Sequence, residues 1–195
     1  MDRRPEELCL APHLAGFRDA FPGVVLRIET SMALVNPQEV GLDCCLRYGP
    51  GQWSGVTSER LAGEDLFPIC APSFVPSGAA LDVAELCALP LIHDLGPITW
   101  IEWFAAFGAV PPPQAEGPAV TDSALAQQAA IEGIGVALGR SRMIARELKA
   151  GRVIRPLPQS MLSPFAYFLV RSSARSVDPL LSRFEDWLLR EVFAS

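Results

Sequence analysis

The stretch VVLRIETSMALVNPQEVGLDCCLRY, residues 24–48, contains the pattern that predicts the fold class. Residues 24–30 are rich in β-branched side chains and alternate in polarity, which is typical of a strand. Residues 36–42 open with an asparagine and a proline, which favour the start of a short helix. Residues 44–48 read as a buried strand. Strand, helix and strand in this order predict a parallel pair of strands and an α/β domain.

The same alternation continues to the end of the chain. Glycine, proline and capping residues separate the segments, and the Trp-rich helix has one apolar stripe that predicts core packing. Helices are predicted over 10–21, the first part of 81–94, 99–108, 121–133, 141–151 and 178–193. Two short strands are predicted within 59–72, one on each side of Gly63, and another strand ends at about His93. Further strands are predicted after the loop at 110–120 and over 134–140, 152–157 and 165–171. This order predicts mostly parallel sheets, which bind ligands at strand C-termini and helix N-termini.

Composition predicts a soluble protein of the cytoplasm. The 195 residues can form one domain or two small ones, and half of them are hydrophobic. No apolar run approaches the ~20 residues that cross a bilayer, and the first residues do not resemble a secretory signal. The net charge is −6 and no basic run is present, so we expect these residues alone to bind nucleic acid poorly.

The cysteines and histidines do not predict a metal site, a cofactor or an enzyme. The five cysteines are odd in number and lack C-x-x-C spacing, so neither a disulfide framework nor a zinc site is expected. The adjacent Cys44 and Cys45 point to opposite faces of a strand, which favours buried, structural thiols. The phosphate-loop, dinucleotide, nucleophile-elbow and zinc-protease motifs are absent from the sequence, and it has only two histidines.

Arg47 is the strongest binding candidate. It lies at the C-terminal end of the predicted buried strand 44–48, where an α/β sheet opens into its crevice, and its planar guanidinium suits a carboxylate. The alternative is a structural ion pair with an acid such as Asp43 or Glu64. The glycine-rich loop that follows, PGQWSG at 50–55, is interpreted as a turn and not as an anion-binding loop.

Two further candidates are polar residues at the ends of elements. Thr30 and Ser31 end the strand that precedes the strand of Arg47, so they could line the same crevice. Thr121, Asp122 and Ser123 begin a helix, where backbone N–H groups and hydroxyls can hold an anion. The simpler alternative is that Thr121 or Asp122 only caps its own helix.

The order of these motifs resembles the effector-binding domain of LysR-type transcriptional regulators over essentially the whole chain. The matching stretches include LAPHLAGFRDAFPGVVLRI, GLDCCLRYGPGQWSGV, LFPICAPSF, ALPLIHD, DSALAQQAAIEGIGVALG, ELKAGRVIRPL, AYFLV and FEDWLLRE. The R-Y-G tripeptide that begins at Arg47 is similar to the one in the subgroup of glycine-cleavage and β-lactamase regulators.

The resemblance implies a periplasmic-binding-protein-like fold of two Rossmann-like α/β subdomains, joined by two crossover strands, with an effector cleft between them. Carried onto this chain, the crossovers fall near 67–72 and 165–169. The first subdomain comprises 1–68 and 166–195, and the second comprises 69–165. The cleft would be lined by the residues named above together with aromatic residues near the hinge, namely Arg47, Thr30, Ser31, Thr121, Asp122, Ser123, Phe165 and Tyr167.

The functional expectation is a sensory and dimerisation domain that binds a small, carboxylate-bearing effector. Homodimers, or tetramers of a full-length regulator, would form through the helix at 10–21 and the strand at 24–30. The resemblance does not include the family's N-terminal winged helix-turn-helix, so DNA contact is expected only through such a domain. A solute-binding protein of a transport system is the alternative on this fold, and an enzyme is the third and weakest hypothesis. No membrane contact is expected.

Overall fold

The computed structural model describes residues 10–29, 35–75, 80–111, 117–174 and 178–193. Helices and strands are mixed along the chain, and two compact units can be distinguished. The central unit comprises Glu64–Ser163. The terminal unit comprises the described residues of 10–63 and 164–193. Strand β2 (Val56–Ile69) and strand β6 (Met161–Ser172) each contribute residues to both units.

The terminal unit combines two helices with strand pairing. After a 3-10 turn at Ala11–His13, helix α1 spans Leu14–Ala20. A second 3-10 turn, Pro37–Val40, leads to strand β1 (Cys45–Gly49). Near the end of the chain, helix α6 (Pro179–Trp187) continues as a π-turn over Leu188–Val192.

The central unit contains the remaining elements, most of them short. A 3-10 turn at Pro72–Phe74 is followed by helix α2 (Val83–Leu86) and strand β3 (His93–Asp94). The later elements, in chain order, are helix α3 (Trp100–Ala106), strand β4 (Ala119–Val120), helix α4 (Ser123–Ile131), strand β5 (Ala137–Arg140) and helix α5 (Ser141–Lys149).

The longer strands form a four-stranded sheet in the order β1-β6-β2-β5. Cys45 pairs with Val170 in the antiparallel ladder of β1 and β6, and Leu66 pairs with Arg140 in that of β2 and β5. The short strands β3 and β4 pair in parallel. Arg47 therefore pairs with Phe168 in this sheet, and Arg140 is the last residue of β5.

Four predicted strands differ from the observed ones. Residues 24–29 lie outside any strand, so the predicted parallel pair of this segment with 44–48 is not formed in the described part of the chain. The two pieces predicted within 59–72 are one continuous strand, β2, which runs through Gly63 and has β6 and β5 as its neighbours in the sheet. Residues 152–157 form only an isolated bridge between Ile154 and Cys70.

The aromatic stripe of the Trp-rich segment belongs to the core, as predicted. Trp103 and Phe104 of α3 are completely buried, and Trp100 donates a hydrogen bond from its indole N–H to the Ile92 carbonyl oxygen at 2.9 Å. Thr99 caps the start of the helix, and its hydroxyl oxygen accepts a hydrogen bond from the Ile101 N–H. Apolar burial and a satisfied indole together position α3 in the central unit.

Candidate functional site

Arg47 lies in the terminal unit and is almost fully buried. Its guanidinium donates a hydrogen bond to the Val35 carbonyl oxygen and stands over the Trp53 ring, 5.2 Å from the ring centroid. The carbonyl and the ring provide the compensation that a buried cation requires. Of the two acids considered as partners, Glu64 accepts hydrogen bonds from the Ser141 hydroxyl at 2.6 Å and the Arg142 N–H at 2.9 Å.

The glycine-rich loop after Arg47 is a packed turn. Gly51 has a positive φ of 88°, and a Cβ there would clash with the Phe168 ring. Trp53 packs edge-on against the same ring, and the Ser58 hydroxyl donates to the Gly51 carbonyl oxygen. The loop uses glycine for its backbone conformation and for the close approach of Phe168, which agrees with the interpretation as a turn.

Phe165 and Tyr167 project from β6 in the terminal unit. Tyr167 is fully buried, with ring centroids 5.1 Å from Tyr48 and 5.4 Å from Phe193. Phe165 is half-buried and packs edge-on against Tyr48 at 5.9 Å. Tyr48 therefore joins the two predicted aromatic residues into one cluster. The two predicted hydroxyl residues from the preceding strand, Thr30 and Ser31, lie outside the described residues.

Thr121, Asp122 and Ser123 lie at the start of α4 in the central unit, where they have different contacts. The Asp122 carboxylate caps the helix by accepting a hydrogen bond from the Leu125 N–H at 2.9 Å. Thr121 is exposed. Ser123 donates from its hydroxyl to the Asp94 carboxylate at the end of β3. The capping alternative accounts for Asp122, whereas Ser123 belongs to a larger polar cluster.

That cluster includes Arg140, which the sequence analysis did not select. The Arg140 guanidinium lies 3.4 Å from the Ser123 hydroxyl, and its backbone N–H donates to the Gln127 side-chain oxygen at 3.4 Å. Asp94 also accepts from the Gly96 N–H at 3.0 Å. The signal for Arg140 was present in the sequence, because this arginine ends the predicted apolar strand 134–140, and Arg47 was selected for its place near the end of the predicted strand 44–48.

A small cavity adjoins the cluster and is lined by Asp94, Ser123 and Arg140 together with apolar side chains. Its volume is about 10 Å³. A cavity of this size holds about one water molecule. A carboxylate could therefore reach the cluster only if local side chains move.

The described residues do not contain a group of three or more His, Cys, Asp or Glu side chains that could hold a metal ion. Cys44 is a poor nucleophile, because burial and the neighbouring Cys45 raise the pKa of its thiol to about 12. Among the helices that the structure describes, none is long and apolar enough to cross a bilayer.

Comparison with known families identifies the domain. The family described as "LysR substrate binding domain" matches residues 5–192. The chain belongs to this family. The match confirms the resemblance drawn from the sequence motifs.

Two LysR-family relatives illustrate the sequence similarity. The glycine cleavage system transcriptional activator of Escherichia coli strain K12 is 31% identical over 186 residues, which are 95% of this chain and 61% of that protein. The HTH-type transcriptional activator AmpR of Rhodobacter capsulatus is 33% identical over 179 residues, which are 92% of this chain and 61% of AmpR. The chain thus spans about three fifths of the length of these relatives.

Solved LysR effector domains confirm the fold class. The AmpR effector binding domain of Citrobacter freundii has a TM-score of 0.79 at 28% identity, covering 93% of this chain and 90% of that one. The effector domain of AmpR from Pseudomonas aeruginosa has a TM-score of 0.77 at 28% identity, covering 94% of this chain and 88% of that one. The fold is therefore the periplasmic-binding-protein-like α/β fold.

Proposed function

We propose that the chain is the sensory part of a cytoplasmic LysR-type transcriptional regulator and that it binds a small, carboxylate-bearing effector. The observation that carries the proposal is the family match over residues 5–192, together with relatives that are transcriptional activators. In this proposal, DNA is contacted through a winged helix-turn-helix domain, as implied by the resemblance. The two units correspond to the two subdomains.

The effector contacts are proposed to come from the eight residues selected from the sequence. In the terminal unit these are Arg47, Phe165 and Tyr167, and in the central unit they are Thr121, Asp122 and Ser123; Thr30 and Ser31, which lie outside the described residues, complete the set. The chemistry of Ser123 supports this, because its hydroxyl already binds a carboxylate, that of Asp94. An effector carboxylate would replace Asp94 at Ser123 and gain the nearby Arg140 guanidinium.

Thermal-shift screening with amino acids and aromatic acids tests this site. We expect at least one acid to raise Tm, and we expect Ser123→Ala and Arg47→Lys to weaken its binding at least tenfold because each loses a carboxylate contact. Ser182→Ala, on helix α6, is the control and should leave binding unchanged. If both site variants bind every hit like the parent, the proposed effector contacts are wrong.

Homodimers are proposed to form through the helix at 10–21 and the segment at 24–30. The exposed apolar side chains Leu14, Val25 and Ile28 support this, because burying such surface drives association. Sedimentation velocity should show a dimer that Leu14→Glu weakens at least tenfold. The control Ile101→Glu, at an exposed position of α3, should leave the dimer intact. A monomer at all concentrations would contradict the proposal.

A further inference from the structure

The polar cluster at the start of α4 holds one carboxylate, that of Asp94, and lies wholly within the central unit. One oxygen of Asp94 accepts a hydrogen bond from the Ser123 hydroxyl, and the other accepts from the Gly96 N–H at 3.0 Å. The Arg140 guanidinium lies 3.4 Å from the Ser123 hydroxyl oxygen and extends this chain of donors. Ser123 is also the first residue of α4, where the helix dipole favours negative charge. These groups together form a site for a single carboxylate, and Asp94 occupies it.

Contacts that do not involve Asp94 hold the donors of this site in place. Gln127 is buried, and its side-chain amide donates to the Ser123 carbonyl oxygen at 3.0 Å. The side-chain oxygen of Gln127 accepts from the Arg140 backbone N–H at 3.4 Å. Arg140 is only 7% exposed and is fixed in the sheet by its pairing with Leu66. The site therefore keeps its shape when the Asp94 carboxylate leaves it.

Asp94 can leave the site by rotation of its side chain alone. The backbone on either side is anchored, because the His93 N–H donates to the Pro118 carbonyl oxygen at 2.9 Å and the Leu95 N–H donates to that of Val120 at 2.8 Å. Asp94 is only half-buried, so its carboxylate reaches water in another rotamer and exchanges its hydrogen bonds for hydration.

The site cannot hold a second carboxylate beside that of Asp94. The adjoining cavity, lined by Asp94, Ser123 and Arg140, has a volume of about 10 Å³. This space holds about one water molecule, which is smaller than a carboxylate group. Binding of another carboxylate at Ser123 and release of Asp94 are therefore coupled.

We propose that Asp94 is a built-in competitor of the effector, and that an effector carboxylate binds at Ser123 and Arg140 only after the Asp94 side chain turns out to solvent. The competition rests on the proposed function, whereas the carboxylate site itself can be tested without an effector. Because Asp94 is tethered beside the site, its effective concentration there is high. The apparent affinity for the effector falls with the fraction of molecules in which Asp94 occupies the site, so a higher effector concentration is needed for a response.

Chemical rescue of Asp94→Ala by formate tests the site, because formate is the carboxylate that this substitution removes. Thermal unfolding is measured against sodium formate, with sodium chloride at the same ionic strength as the reference. We expect formate to raise the Tm of Asp94→Ala in a saturable manner and to leave the parent unchanged, since Asp94 fills the site in the parent. Formamide, the neutral analogue, should bind at least tenfold more weakly than formate. If Asp94→Ala is unfolded without formate, added formate should restore its folded circular dichroism spectrum.

Two further variants separate a vacated site from a simple change of charge. Asp94→Asn removes the same charge but still fills the site, so its affinity for formate should be at least tenfold lower than that of Asp94→Ala. Adding Ser123→Ala to Asp94→Ala should also weaken formate at least tenfold. Equal formate responses of Asp94→Ala and the parent, or of Asp94→Ala and Asp94→Asn, would overturn the proposal, as would a response that Ser123→Ala leaves unchanged.

The same variants distinguish a failure of this inference from a failure of the proposed function. Any amino acid or aromatic acid that raises the Tm of the parent should bind Asp94→Ala at least tenfold more tightly, because its competitor is gone. Unchanged or weaker binding of such an acid to Asp94→Ala would overturn the competition and leave the proposed effector in place. Saturable binding of formate to Asp94→Ala without any acid that binds the parent would support the internal carboxylate site and contradict only the proposed effector.

Discussion

Replacing Glu185 by glutamine should stabilise the protein in a strongly pH-dependent manner. Glu185 is buried on α6, and its pKa is raised from 4.5 to about 7, with burial as the largest cause. A carboxyl whose pKa is raised by folding binds its proton more tightly in the folded state. Its contribution to stability is therefore present below pH 4.5 and is lost as the pH rises through about 7.

The magnitude follows from the pKa difference. The rise from 4.5 to about 7 is about 2.5 pH units, which corresponds to about 3 kcal/mol at roughly 1.4 kcal/mol per unit. By proton linkage, the ionisation of Glu185 lowers the free energy of unfolding by about 1 kcal/mol at pH 5 and by about 3 kcal/mol at pH 8. Glutamine resembles the neutral acid in shape and cannot ionise, so Glu185→Gln should remove this cost.

Urea denaturation at pH 5 and pH 8 measures the effect. Glu185→Gln should have a higher free energy of unfolding than the parent at both pH values. The gain should be about 2 kcal/mol larger at pH 8 than at pH 5. Glu191→Gln, at an exposed position of the π-turn that follows α6, is the control and should change stability by less than about 0.5 kcal/mol at both pH values. A stability difference that is the same at the two pH values would refute the reasoning.

Three other substitutions or reactions test the packing. Gly51→Ala should destabilise the protein by about 2–4 kcal/mol, and the control Gly23→Ala should destabilise it by about 1–2 kcal/mol. Both glycines have a positive φ, but only a side chain at position 51 would meet the Phe168 ring. Equal losses of stability in urea titrations would exclude this clash. Glu64→Ala should cost about 2–3 kcal/mol in the same titrations, since it removes the carboxylate at the start of α5, and a neutral result would contradict that role. Alkylation followed by peptide mass mapping should find Cys44 unmodified at pH 8, where a pKa of about 12 leaves about one thiolate in ten thousand, and rapid labelling of the folded protein would be inconsistent with its burial.

Local features of the fold were predictable from the sequence. Helices were expected to begin near residues 36, 81 and 178, and at these starts Asn36, Asp82 and Asp178 each accept a hydrogen bond from a backbone N–H two or three residues later. The Trp-rich stripe was expected in a core and is buried there. These features depend on neighbours within one helical turn, so a single sequence contains the necessary information.

The candidate site was predictable only in part. An arginine at the end of a buried strand drew attention to Arg47, and the same pattern at Arg140 was overlooked. The contacts of Ser123 with Asp94, 29 residues away, could not be read from the helix start alone. A cap and a binding residue look alike in sequence, because both are small polar residues at a helix N-terminus.

The amino-acid sequence by itself determined the α/β class and the helix caps, because periodicity and capping act over a few residues, and the order of its motifs resembled the family that the comparison then confirmed. Only the tertiary structure decided that β2 is one strand, that 24–29 lies outside the sheet, and that Arg47 meets a carbonyl and a ring. A strand exists only where a partner supplies its hydrogen bonds, and a buried charge takes whichever acceptor the returning chain brings near. Both choices depend on residues far apart in the sequence.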